Sequence, residues 1–412
     1  MRKGWILLIF LMLSGAGLSA AQDKTVKVTV LRGGTVIDGT GASPLADAAV
    51  VIEGETIQAL GPLKTVKTPQ GARVIDVSGK WVLPGFVDCH AHITMAPEFL
   101  QEWSISDSLA VLKALHFLDS YLRCGITSVR DAGGRIEALQ ALEAAAGMGW
   151  TETIRVFACG QMLTATGGHG YGIEAGRGCD GPWEWRKAVR EMYRDGFRHI
   201  KISPTYTREE VEAAVDEAKT LGMRVTAHGG GLSDTTPTSM TRLAVQAGVP
   251  CIEHLNEMED DVLDLIAGKG VFLVPTLSIY REMYRRNGIA RTLVEDRHWT
   301  QAMHETLFKK ARARGITMGI GTDAVHSYGS LNPGLYFEEL KYFVELGAAP
   351  MEAIICATRN GASILGQKKR LGTIEPGKTA DLQVLRGDPL RSFDALGKPD
   401  IVIVGGRVHR FE

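Results

Sequence analysis

Residues 83–92 read LPGFVDCHAH, an apolar run that ends in a His-x-His pair. Side chains two apart on a β-strand point to the same side, so His90 and His92 can turn both imidazoles toward one cation. Two histidines on a strand face are also ordinary core or surface residues, and the pair alone defines no site. Its company does more: Lys201, His228, His254 and Asp323 each fall at or near the carboxyl end of a later expected strand. Gathering side chains from that many separate strands at one point calls for a barrel.

The middle of the chain reads that way. Strands are expected at residues 82–92, 126–130, 155–160, 199–202, 224–228, 251–254, 271–275 and 316–323, with helices between them at 106–124, 183–195, 208–221 and 300–314. Eight strand–helix units predict an α/β fold, a (β/α)8 TIM barrel over residues 85–366, whose sites gather at the carboxyl ends of its strands. A doubly wound open sheet would not bring the first, fourth, fifth, sixth and eighth strands together. Residues 25–82 and the last forty or so instead alternate Val and Ile with Gly and Asp-Gly punctuation. Two such segments, 22–84 and 367–412, predict one small β-sandwich domain built from both ends of the chain.

Composition narrows the function. The chain has 412 residues, 45% hydrophobic and 23% charged, with a formal net charge of -1 and no Lys/Arg cluster. Nothing here suggests a nucleic-acid footprint or a polybasic membrane anchor, and small-molecule chemistry fits better. Arg2 and Lys3 precede an apolar run from Trp5 to Leu13, then Ser19-Ala20-Ala21. Residues 1–21 therefore read as a signal peptide cleaved near Ala21, with a periplasmic or secreted destination; the run is too short for a membrane span. Of six cysteines, five lie in apolar segments; Cys179 lies in a Gly-rich loop, where pairing with Cys159 is open.

The motifs LPGFVDCHAH, SVRDAGG (128–134), GGHG (167–170), HIKIS (199–203), TAHGG (226–230), IEH (252–254), GTDA (321–324) and LGTIEPGKTADL (371–382) occur in this order. Together they resemble the amidohydrolase superfamily, and within it the exported Xaa-Pro dipeptidase or Xaa-Arg carboxypeptidase-like group, close in motif to imidazolonepropionase-like proteins. That resemblance implies a binuclear centre of two divalent ions, zinc, in which His90, His92 and Asp323 hold one and His228 and His254 the other. It also implies that Lys201 is carboxylated to N6-carboxylysine, whose two oxygens bridge the metals and offset their charge. A metal-bound water, its pKa lowered from 15.7 to about 7–9, would supply hydroxide, with Asp323 as proton shuttle. His169, in a glycine-rich loop, is expected at the substrate, and Asp131 is expected to be structural.

One departure stands out. Many relatives read His-Ala-Tyr where this chain has His228-Gly229-Gly230, so a tyrosine that steadies the oxyanion is missing; Tyr206 and Tyr280 are the candidate replacements. The loop at 231–239 and the charge run at 281–297 can shape or gate the pocket, or be inert surface. The expected reaction is hydrolysis of the C-terminal amide of a dipeptide or N-acyl amino acid by an exported homo-oligomer. The alternatives are a cyclic amide or lactone hydrolase and a non-catalytic exported binding protein.

Overall fold

The computed structural model describes residues 27–95, 105–152, 154–230, 237–256, 258–285, 299–325 and 333–411. The signal segment 1–21 lies outside them, as do most of the loop at 231–239 and of the charge run at 281–297.

The two ends of the chain pair as expected. Val28–Val36, Leu45–Glu53 and Thr56–Pro62 form an antiparallel meander, and Leu382–Leu385 joins it by pairing antiparallel with Trp81–Pro84. Ile401–Val404 and Arg407–Arg410 extend the same surface. Successive side chains point to opposite faces, and both faces are covered, so Leu31, Val50, Ile52, Val384 and Ile403 fall into one apolar cluster and Val30, Ala49 and Val51 into another. The pairing makes one eight-stranded sheet. It does not delineate the two facing sheets that a sandwich requires.

The middle is a mixed α/β unit of parallel strands. One sheet runs, in spatial order, Ala324–Val325, Phe86–His92, Ile126–Asp131 and Arg155–Ala158; the other runs Gly176–Gly178, Met162–Thr164, His199–Ile202, Arg224–His228, Cys251–Glu253 and Phe272–Val274. Phe86–His92, Ile126–Asp131 and His199–Ile202 are buried at every position, as parallel strands covered on both faces must be. Helices lie between them where the sequence places them. Asp107–Arg123 starts on Ser106, whose side chain accepts from Leu109 N, and Arg208–Thr220 starts on a Thr207–Glu210 capping box.

Two expectations need correction. The eighth strand, expected at 316–323, is a regular strand only at Ala324–Val325. The stretch before it still bonds both flanks, from Gly319 N to Leu273 O and from Cys89 N to Ile320 O, but Thr322 N and Asp323 N converge on the single acceptor His90 O. Asp323 has φ +50°, which breaks a ladder. On the far side, His199–Ile202 reaches the preceding strands only through Ile202 opposite Leu163, so strand pairing leaves a seam between Arg155–Ala158 and residues 199–201. A cavity of about 510 Å³ opens there, lined by Phe157, His199, Arg155, Arg407 and His409 among others. All six cysteines are free, so Cys159 and Cys179 are not bridged. No helix among the described residues is long and apolar enough to cross a membrane.

Candidate metal centre

Five of the six expected ligands sit at or near the carboxyl end of a parallel strand, and Asp323 instead precedes one. His90 and His92 close Phe86–His92, Lys201 lies in His199–Ile202, His228 ends Arg224–His228, His254 follows Cys251–Glu253, and Asp323 precedes Ala324–Val325. His254 and Asp323 take φ values of +70° and +50°, a conformation that is costly for residues other than glycine and that turns each side chain off its strand.

Candidate ligand atoms of His90, His92 and Asp323 all lie within 4.8 Å of one another. Asp323 Oδ1 stands 3.1 Å from His92 Nε2 and 3.3 Å from His90 Nε2. Beyond His90, the rings of His254 and His228 follow at centroid separations of 4.8 and 4.2 Å, and His169 lies 4.8 Å from His228. Lys201 Nζ is 3.5 Å from His90 Nε2 and the side chain is buried. No carboxylate among the described residues is within ion-pair distance of that amine.

Electrostatics favour ligand-ready forms. Burial, then the neighbouring histidine, holds His228 well below the usual imidazole range; burial does the same for His254 against the pull of Asp323. Burial also pulls the Lys201 amine below its ordinary value, opposed by Glu253 and Asp323. For Asp323 burial works upward, but His90 and the hydrogen bonds from His90 and His92 hold the carboxyl well below the usual range. Neutral His228 and His254 beside an ionised Asp323 suit a borderline divalent cation such as zinc, whereas His92, pushed down by burial but raised above the usual imidazole range by Asp323, must give up that proton to act as a ligand.

The remaining residues divide. His169 and Tyr280 border the centre; the Tyr280 ring meets His254 edge-on at 6.0 Å and stacks on His304 at 4.3 Å. Tyr206 does not face it: its hydroxyl donates to Met240 O at 2.9 Å and its ring packs edge-on against Trp185, because an aromatic just before a helix is drawn into the helix–strand core. Asp131 is a brace, accepting from Ile93 N at 2.8 Å and Gly133 N at 3.1 Å.

Sequence reasoning missed the groups that hold the ligands. Glu253, Thr276, Asn256 and Asp88 are all buried against them. His254 Nδ1 meets Thr276 Oγ1 at 2.7 Å, and His92 Nδ1 meets Gly133 O at the same distance. Asn256 Nδ2 lies 3.4 Å from His228 Nε2, and its Oδ1 has no hydrogen-bond partner among the described residues. A signal was present: Arg130 and Glu253 are opposite charges inside otherwise apolar strands, which calls for a buried pair.

Parallel strands that gather a histidine-rich cluster fit a metal-dependent hydrolase, and the family match makes it one that acts on C–N bonds. The chain belongs to the amidohydrolase family, whose pattern matches residues 81–409. It is 28% identical to the ochratoxinase of Aspergillus niger over 441 aligned positions, covering 93% of this chain and 86% of that one. Among solved structures, it resembles a Xaa-Pro dipeptidase with bound methionine in the active site (TM-score 0.82, 28% identity, 93% of this chain and 100% of the other). It is also similar to a prolidase complexed with N-methylphosphonate-L-proline (TM-score 0.83, 30% identity, 94% and 100%).

Proposed function

We propose that this chain is an exported, homo-oligomeric binuclear zinc enzyme, built on a (β/α)8 barrel, that hydrolyses the C-terminal amide of dipeptides or N-acyl amino acids. The observation that supports it most is the placing of Lys201: a buried amine with no carboxylate within ion-pair distance among the described residues, 3.5 Å from His90 Nε2 of the His90, His92 and Asp323 group. The amine lone pair attacks the carbon of CO2, a nitrogen–carbon bond forms and one proton leaves, giving a carbamate with an oxygen for each of two ions. Divalent ions held by the six expected ligands would polarise the substrate carbonyl and make a bound water acidic near neutral pH.

The chain's own residues do the rest. Asp323, with 26% of its side chain exposed, accepts the proton of the attacking water, then delivers it to the leaving nitrogen as the C–N bond breaks. His169, beside His228, donates to the substrate, and the Tyr280 ring forms an apolar wall. The dipeptidase and prolidase likenesses support a C-terminal amide substrate.

Amine release from a panel of dipeptides, N-acyl amino acids and cyclic imides, by zinc-reconstituted mature protein beside Lys201→Ala, tests this. Turnover that follows one C-terminal residue and falls more than about 100-fold in the variant is expected, beyond what loss of a supporting contact costs. Turnover of cyclic compounds alone would sink the peptidase reading in favour of a cyclic amide hydrolase.

A further inference from the structure

We propose that Glu253, held by Arg130 and Thr226, is a positioning residue that sets His90 as a ligand; this rests on the metal-centre reading above. Glu253 lies wholly inside the parallel strands, one residue before His254. Its Oε1 receives the Arg130 guanidinium and the Thr226 hydroxyl, and its Oε2 faces His90 Nδ1 at 2.8 Å. Arg130 in turn donates from Nε to Cys89 O at 2.6 Å, on the strand that carries His90. The carboxylate thus collects donors from three strands, and the guanidinium ties the assembly back to the residue beside the ligand.

The geometry fixes more than a ring plane. A carboxylate engaged by Arg130 and Thr226 on one oxygen offers the other to His90 as acceptor, so Nδ1 carries a hydrogen and Nε2, 3.3 Å from Asp323 Oδ1, is the nitrogen left for a cation. The other three imidazoles of the cluster are braced by neutral partners: His92 by Gly133 O, His254 by Thr276 and His228 by Asn256. Only His90 has a charged acceptor behind it among them, and a charge-assisted bond makes its free nitrogen the most strongly donating. Glutamine cannot substitute, because its single oxygen serves either Arg130 or His90 and its amide opposes the other.

Zinc affinity of the metal-free protein, by competition with a chromogenic chelator, tests this in wild type, His90→Ala, Glu253→Gln and Thr226→Val, beside histidine 15N NMR of each metal-free protein. Glu253→Gln is expected to bind zinc about 10–100-fold more weakly and to lose the Nδ1-protonated His90 signal. Thr226→Val, which removes one donor of four, Cys251 Sγ at 3.4 Å being the fourth, is expected to lose about fivefold and serves if Glu253→Gln does not fold. Unchanged affinity and tautomer, with only a lower Tm, would overturn the proposal. If His90→Ala leaves zinc binding intact, the metal-centre reading itself has failed and the proposal falls with it.

Discussion

The Thr322 hydroxyl donates to Asp88 Oδ2 at 2.8 Å, and the Thr322 backbone N–H reaches Oδ1 of the same carboxylate at 3.2 Å. Asp88 also receives Tyr121 Oη at 2.6 Å and His90 N at 3.0 Å, so one buried side chain locks the turn bearing Asp323 to the strand bearing His90 and His92. Thr322→Val keeps the shape and removes one donor. A loss of about 1 kcal/mol, rising toward 3 if the carboxylate is left under-satisfied, is expected in urea unfolding. An unmoved midpoint would show that the clamp is dispensable.

Gly230 has φ +77°, and a Cβ there would stand 2.9 Å from Asn256 Cβ. Gly230→Ala should cost about 1–2 kcal/mol from the left-handed backbone alone, plus the collision. Adding Asn256→Gly removes the collision but not the backbone strain, so the double variant should recover part of the loss and no more. Full recovery, measured by thermal unfolding, would place the whole cost in the contact.

His304 tests the pH limb. It is buried, its Nδ1 lies 2.8 Å from Tyr284 Oη, and its Nε2 has no partner among the described residues; burial pushes its pKa down to about 3. Its folded-state pKa lies below the unfolded value of about 6.5, so the unfolded chain binds the extra proton and stability falls as pH drops from 6.5 toward 3. Near pH 5 the loss is about 2 kcal/mol. His304→Gln should flatten that part of the stability–pH curve, and an unchanged slope would assign it to other groups.

Chelation should act on both activity and fold. Divalent ions that bind only the folded state add about 4 kcal/mol when free metal stands at 1,000 times Kd. Dialysis against a chelator is expected to abolish turnover and lower Tm, and zinc to restore both. Retained turnover after verified removal would exclude a metal-dependent reaction.

Export has its own check. Expression of the full chain in a Gram-negative host should yield periplasmic protein whose first residue, by amino-terminal sequencing, falls near Gln22. Intact Met1 on cytoplasmic protein would refute the signal-peptide reading.

Most of the centre was legible because its chemistry lies in residue types at fixed strand positions. The short β-branched runs HIKI and RVTAH place strands 199–202 and 224–228 at the observed bounds. What could not be read depends on long-range pairing. Residues 316–323 carry the composition of a strand, but Thr322 and Asp323 spend their N–H groups on His90 O, a contact that no local pattern announces. Tyr206 and Tyr280 were equal candidates by sequence, both being aromatics soon after a strand. Only packing separates them, one against Trp185 and the other against His254. Glu253 was hidden inside a motif read for its histidine.

The seam between Arg155–Ala158 and residues 199–201 sets a direction of local opening. Where His199 faces Phe157 across 6.0 Å, backbone groups on both flanks lack the cross-strand bonds that protect their neighbours. Hydrogen exchange is therefore expected to be faster along Arg155–Ala158 and residues 199–201, each paired on one side, than in Arg224–His228, which is paired on both. Local opening is expected to begin along that seam, while the strand that ends in His228 keeps a partner on each side.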